Sequence, residues 1–268
     1  MTIIVRRPAP PLAGLVRAIV YQAGEQPRTS VQRILPDPEP SVWINLNRDE
    51  FRSLRGPEHG RIDRVPGAML AGPRSYALVT EFEAGRAHIW VSFAVGAAAG
   101  FFAPPLAGSA DELVPLGDLW GRSGAALRDR LLAAATPQHA LQVMEQALLA
   151  QLAGPAGRDP AVTAAAQALC RGVPVGQVAH DLGLLPRTLR RRFIARVGLP
   201  PKRFARVQRL RRVTRALAAQ SRADWAAVAA GHGYGDQSHL VDEFRDLAGV
   251  TPAEYLRSRI DGPNHLRV

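Results

Sequence analysis

The apolar positions of this chain change period partway along it. In the N-terminal half, Ser41–Asn47 (SVWINLN) and His88–Phe93 (HIWVSF) show period-two alternation carried by Trp, Ile and Val, which predicts strands. Gly and Pro clusters at Pro36–Pro40, Gly56–Pro57, Pro66–Gly67 and Gly72–Pro73 punctuate the region, as short strands and tight turns require. Helical character begins near Gly121. Ala125–Ala135 and Ala140–Leu152 are rich in good helix formers, and after Pro160 the chain reads as helical almost throughout.

The helical part contains an internal repeat. Val178, Ala179, Gly183 and Leu184 recur at an offset of 50 as Val228, Ala229, Gly233 and Tyr234. Leu189, Phe193, Gly198, Pro201 and Phe204 recur at an offset of 51 as Leu240, Phe244, Gly249, Pro252 and Tyr255. Apolar and turn positions are kept while the positions between them differ, the mark of a duplicated unit whose two surfaces have different tasks.

Each copy reads as a helix-turn-helix. In the first, Val175–Leu182 forms a short helix with Val175, Val178, Ala179 and Leu182 on one face. Ala179 is small where a second helix crosses, Gly183 supplies the turn, and Pro186 suits the first position of the next helix. That helix runs to about Val197 and buries Leu189, Phe193 and Val197. Arg187, Arg190 and Arg191 fall on its other side, the equipment for guanine edges and phosphates or, on an isolated helix, a merely solvated face. In the second copy Trp225, Val228 and Ala229 face inward, Gly233 and Tyr234 turn, and Asp236 is an N-cap. Leu240 and Phe244 are buried there, with Gln237, Ser238 and Val241 outward. Between the copies Pro201–Gln220 is expected to form one helix with an apolar stripe at Phe204, Val207, Leu210, Val213 and Leu217. Twenty residues make ~30 Å, close to one DNA turn of ~34 Å. Arg203, Arg206, Arg209, Arg211 and Arg212 add charge to it, for phosphates or for solvent.

Composition narrows the class. The 268 residues carry a net charge of +11 and are 47% hydrophobic, enough for a buried core and consistent with two domains, one being the alternative. Residues 1–155 hold 15 Lys and Arg against 14 Asp and Glu, whereas 156–268 hold 19 against 9. The excess is therefore focused on the C-terminal part and fits a polyanion, nucleic acid before membrane, or else a solvated basic surface with the arginine habit of a GC-rich genome. The single cysteine, Cys170, excludes an intrachain disulfide and a cysteine-rich zinc site, and reads as a small buried residue in an Ala-rich helix. The opening segment lacks a long apolar run with a cleavage site, and no stretch reaches the ~18 apolar residues of a membrane span. The expectation is a cytoplasmic protein without membrane attachment.

The segments PRTLRRRF, GLPPKRF, GYGDQSHLVDEF and GVTPAEY resemble the AraC/XylS family of transcription regulators over about residues 160–260. The resemblance implies an all-α domain with two helix-turn-helix subdomains joined by a long helix. It implies promoter binding with activation or repression, the activator class included, often through RNA polymerase, and an N-terminal half that senses a small-molecule effector or forms a homodimer. The family's base-facing positions fall on Arg187, Arg190 and Arg191, with Thr188 between them, and on Gln237, Ser238, Val241 and Asp242, with Arg245 one turn on. Three positions depart from the pattern. Leu185 replaces a capping Ser or Thr, His232 occupies a usually apolar position, and Asp242 stands where many members carry Arg. ILPDPEPSVWINL, GPRSYALV and LVPLGDLWG resemble degenerate cupin-like sensor domains.

The fold class expected is thus α+β in two domains. The N-terminal one is mainly β, a cupin-like barrel or sandwich followed by helices, and the C-terminal one is all-α. The divisions are a sensing or dimerisation domain over 1–153, a linker over 154–160 (GPAGRDP from Gly154), a DNA-binding domain over 161–260 and a tail over 261–268. Trp43, Tyr76, Trp90 and Phe93 are candidates for a ligand pocket, or else core, and Arg74 for an acidic ligand, or else a surface loop. His59 and His88 are isolated, so neither metal nor cofactor is expected. Some proteins with such a DNA-binding module are alkylation-repair methyltransferases, but their nucleophilic and zinc-binding cysteines have no counterpart here. No G-x-S-x-G, P-loop or H-E-x-x-H occurs either, so no enzyme is expected. The alternative to a DNA-binding regulator is an interaction protein that antagonises a related regulator without binding DNA.

Overall fold

The computed structural model describes residues 2–24, 29–55, 61–82, 85, 87–102, 106–152, 159–260 and 264–268. An N-terminal β region of two sheets is followed by helices, and the C-terminal part is helical. One sheet holds β1 (Thr2–Arg6), β2 (Val16–Ala23), β9 (Ala87–Phe93), β4 (Ser41–Asn45), β7 (Ala68–Ala71) and β10 (Leu113–Pro115), in that order. The other runs β11 (His265–Arg267), β3 (Ser30–Ile34), β8 (Leu78–Phe82), β5 (Glu50–Arg55) and β6 (Arg61–Pro66).

The first sheet is covered on both sides. Ile19, Val42, Ile44, Leu70, Ile89, Val91 and Phe93 point to one face and form a core with the helices that follow. Those helices are α1 (Leu116–Trp120), α2 (Arg122–Ala125), α3 (Leu127–Leu132) and α4 (Pro137–Gln151), so helix begins at Leu116, ahead of the Gly121 expected. Trp120 closes this core, stacked on Phe102 at 5.2 Å with its indole N–H donating to the Phe101 carbonyl at 2.8 Å. The opposite face looks toward the second sheet, where Trp43 meets Phe51 edge-on at 6.2 Å. Between the sheets the apolar Trp43, Phe51 and Phe82 are joined by polar residues, with Gln32, Ser53, Thr80 and His88 all buried.

The C-terminal part contains α5 (Pro160–Arg171), α6 (Val175–Asp181), α7 (Pro186–Val197), α8 (Pro201–Ala216), α9 (Trp225–Gly231), α10 (Gln237–Ala248) and α11 (Pro252–Ser258). The expected apolar stripe of α8 is fully buried at Phe204, Val207, Leu210, Val213 and Leu217. The helix is shorter than expected. It ends at Ala216, where Arg259 reaches in from beyond α11 and donates to the carbonyls of Leu217 at 2.6 Å and Gln220 at 3.3 Å. Those carbonyls are satisfied by a side chain and need no further helical turn. Sixteen residues make ~24 Å rather than ~30 Å. Gly154–Arg158 of the expected linker lie outside the described residues, as does His59. Asp159 and Pro160 are the N-cap and first residue of α5.

The two halves are packed on each other. The outer face of the second sheet contributes Leu35 to the core of the second helix-turn-helix, together with Leu266 from the chain's end. The segment expected as a tail thus adds β11 to the sheet edge, in register His265↔Ile34 and Arg267↔Gln32. His265 turns inward, its Nδ1 3.0 Å from Gln32 Oε1 and its ring 5.7 Å from Phe82. Arg211 pairs with Asp37 at 2.8 Å, and the Ala77 N–H donates to the Leu247 carbonyl at 2.9 Å. Since Leu266 is buried among residues from both halves, Leu266→Ala is expected to cost about 2–4 kcal/mol, measured as a lower denaturation midpoint.

Candidate nucleic-acid interface

The exposed first turns of α7 and α10 are built by the same local device. Each follows a glycine turn, Gly183 at φ 61° and Gly233 at φ 77°, conformations that only glycine adopts without strain. Each buries a crossing alanine, Ala179 or Ala229, against its partner helix. The apolar residues of α7, Leu189, Phe193 and Val197, are inside, and so are Leu240 and Phe244 of α10.

What remains outside differs between the copies. On α7, Arg187, Arg190 and Arg191 are exposed and Thr188 is half-buried. The three arginines make no side-chain hydrogen bond or ion pair among the described residues, so their donors stay open to a ligand. Their neighbour Arg192 is different. It clamps Asp159 through two bonds of 2.8 and 2.6 Å, and Asp159 also caps α5 through the Val162 N–H. The hydrogen bond from Arg192 holds the Asp159 carboxyl below its usual range. Leu185, where a capping hydroxyl was expected, makes no side-chain cap bond.

On α10, Asp236 caps the helix by accepting from the His239 N–H at 2.7 Å. His239 reaches back to accept from the Gly235 N–H at 3.2 Å and packs edge-on against Tyr234. His239 was missed in the sequence because its partners belong to the turn itself. Gln237, Ser238, Asp242 and Arg245 are exposed and Val241 is half-buried. Asp242 is among the most open, its side chain 78% accessible, with Arg245 at 3.9 Å. His232 ends α9 with its Nδ1 2.9 Å from the Val228 carbonyl, which accounts for a polar residue at an apolar position.

Both units are fixed to α8 by contacts between positions 204 and 209. Phe204 meets Phe193 of α7 edge-on at 5.2 Å. On another face of α8, Arg209 donates to Glu243 of α10 through Nε at 2.9 Å and Nη2 at 2.6 Å, and Arg206 donates to the same carboxylate at 2.9 Å. Arg206 also holds Asp246, and Arg209 Nη1 donates to the carbonyl of the turn residue Gly233 at 2.8 Å. The helices therefore dock on different sides of the same stretch of α8, and its length does not measure their separation. The five arginines read from sequence as surface charge all have internal contacts. Arg211 pairs with Asp37, Arg212 donates to the Cys170 carbonyl, and Arg203 lies 4.2 Å over the Tyr76 ring. Cys170 is half-buried, and burial raises its thiol pKa.

The four residues considered for one ligand pocket are not brought together. Trp43 lines a cavity of about 40 Å³ between the sheets, with Phe51, Thr80 and His88. Phe93 is three positions from Trp90, so it points to the opposite face of β9 and packs on Phe101 and Phe102 in the helical core. Trp90 is 38% exposed, and Tyr76 lies on the loop facing α8. Among the described residues no group of three or more His, Cys, Asp or Glu is placed to hold a metal, and no helix is long and apolar enough to cross a membrane.

A family model described as a helix-turn-helix domain matches residues 178–258, and one described as a domain of unknown function matches residues 5–115. No curated protein matches the sequence. Among solved structures, ToxT from Vibrio cholerae is similar at 10% identity and a TM-score of 0.48, over 89% of this chain and 98% of that one. ToxT bound to (E)-4-(8-methylnaphthalen-1-yl)but-3-enoic acid gives 11% and 0.46, over 88% and 98%. The AraC-like transcriptional activator CuxR gives 14% and 0.26, over 78% and 86%.

Glu243 gives this interface a pH dependence. Burial acts to raise its carboxyl, but the hydrogen bonds from Arg209 and Arg206 outweigh it and hold the folded value below the usual range. Its contribution is therefore complete above the unfolded value of about 4.3 and lost as pH falls through the lowered folded value. Glu243→Gln is expected to cost about 2–3 kcal/mol at neutral pH, discounted for the partial exposure of both arginines. It should also flatten the acid limb of stability below pH ~4, as read by denaturation across pH.

Proposed function

We propose that this chain is a DNA-binding transcription regulator of the AraC type rather than an enzyme, and that it reads promoter DNA by inserting α7 and α10 into successive major grooves, a reading supported by the helix-turn-helix match over residues 178–258. The observation that carries this reading is the pair of equivalent exposed helix starts on one scaffold, the first with three unpaired arginines. Arg187, Arg190 and Arg191 supply guanine contacts and phosphate clamps, with Thr188 beside them. Gln237, Ser238 and Val241 read bases from the second unit, and Arg245 meets the backbone. Asp242 weakens that unit, since an exposed carboxylate near phosphates is repelled unless it accepts from cytosine N4.

In this reading the N-terminal half is the controlling domain, responding to a small-molecule effector or a partner. The protein acts in the cytoplasm, and contact with RNA polymerase and homodimer formation are the further partners proposed. Only Asp242 favours a protein that no longer binds DNA, and it touches one unit of two.

Arg191→Ala is expected to cost ~1–3 kcal/mol of binding and to relax specificity over one or two base pairs. Asp242→Arg is expected to tighten binding and steepen its salt dependence. Both are read by fluorescence anisotropy on a panel of site variants at several salt concentrations. Unchanged specificity in the first case removes Arg191 from base contact, and unchanged salt slope in the second removes position 242 from the phosphates.

A further inference from the structure

Among the described residues the two sheets end in four edge strands, and three of them are closed to further pairing. β10 is three residues long and ends in Pro115, which has no N–H to donate. β11 is bridged on its outer side at Arg259↔Leu266, where the Ile260 N–H also donates to the His265 carbonyl at 2.9 Å. β6 (RIDRVP) is interrupted by Arg61, Asp63 and Arg64 and ends in Pro66. Shortness, charge and proline are the usual means by which an edge strand avoids another strand.

β1 (TIIVR) has none of these guards. It pairs with β2 from Thr2↔Ala23 to Arg6↔Ile19, and among the described residues its backbone meets nothing along the other edge. Three branched apolar residues follow one another in it. Its single charge is engaged, since Arg6 donates to Glu145 of α4 at 2.7 Å. Ile3 and Val5 are 50% and 56% exposed. They point to the face that opposes the second sheet, but Phe51 of that sheet meets the first at Trp43 on β4, three strands away. An apolar row continues inward from Val5 by direct pairing, through Val5↔Val20 and Val20↔Trp90, to the half-exposed Trp90. Exposed apolar residues scattered singly need no explanation, whereas a grouped patch on an open edge marks an interaction surface.

We infer that β1 pairs antiparallel with the same strand of a second copy of this chain, joining two six-stranded sheets across a two-fold axis at Ile4. The inference rests on the homodimer proposed above and gives it a surface. The strand is complementary to itself. In this register Ile3 stands opposite Val5 of the partner subunit, and Thr2 stands opposite Arg6 of the partner subunit. Apolar meets apolar, and no two like charges are opposed. The pairing also satisfies both open edges at once, so the assembly closes at two copies.

Sedimentation equilibrium of the full chain over a concentration series tests this. The expected result is twice the chain mass at high concentration, falling to the chain mass on dilution. Val5→Lys should raise the dimer dissociation constant roughly tenfold or more, because the change occurs twice across the axis. Val5→Thr keeps a β-branched side chain and should raise it less. The register is read separately by disulfide cross-linking, with wild type, which has Cys170 alone, as the control. Ile3→Cys and Val5→Cys, mixed and oxidised, should give a covalent dimer, and neither should do so alone, because only the mixture puts two sulfurs at opposed positions. A chain that is monomeric at every concentration would overturn both this inference and the homodimer reading. A dimer unaffected by Val5→Lys, or cross-linking as strong in either variant alone as in the mixture, would overturn the β1 assignment and leave a homodimer formed elsewhere. If Val5→Lys does not fold, the cysteine pair decides.

Discussion

The second sheet of the N-terminal half cannot bury its outer face without the second helix-turn-helix. Leu35 and Leu266 lie on that face, and their neighbours are Leu240, Phe244 and Leu247 of the DNA-binding unit. The first sheet differs, having a private core with α1–α4. This unequal covering dictates the rest. The C-terminal strand must return to the sheet edge to deliver Leu266, and the loop between β7 and β8 must run along the ends of α7 and α10. The geometry of the two units is consequently fixed by α8 on one side and by the N-terminal half on the other.

Within that frame the repeat yields two units alike in structure and unlike in charge. Their turns and buried positions follow the same rules. The arginines of α7 are left without internal partners, whereas the cationic side of α8 near α10 is neutralised by Glu243 and Asp246. Adjacent residues of α10 have opposite roles. Glu243 points inward and locks the unit to α8, while Asp242 points outward. Unpaired positive charge is thus concentrated on the first unit, and the second is more firmly anchored than it is charged.

Much of this was legible in the sequence, for local reasons. Turn glycines, the Asp236 cap, the crossing alanines and the buried stripe of α8 follow from spacing and backbone preference over a few residues. The opposed directions of Trp90 and Phe93 were equally legible, since positions three apart on a strand face opposite ways, and grouping them in one pocket ignored that. The roles of the arginines on α8 were not legible. Their partners are Glu243, Asp246 and Asp37, 34 to 174 residues away, and nothing in the composition tells a paired guanidinium from a solvated one. The strand β11 was hidden too, because three residues carry no period. Arg74 could be noticed in the sequence, but its burial, at 6% exposure, exists only in the folded chain.

The central claim is that two unequal units read one DNA site. In vitro selection of bound DNA with the purified full chain tests it most directly. The account predicts a bipartite site whose halves are about one helical turn apart, ~10–10.5 base pairs, with a guanine-containing half of high information and a weaker partner half. Recovery of no enriched sequence would contradict it.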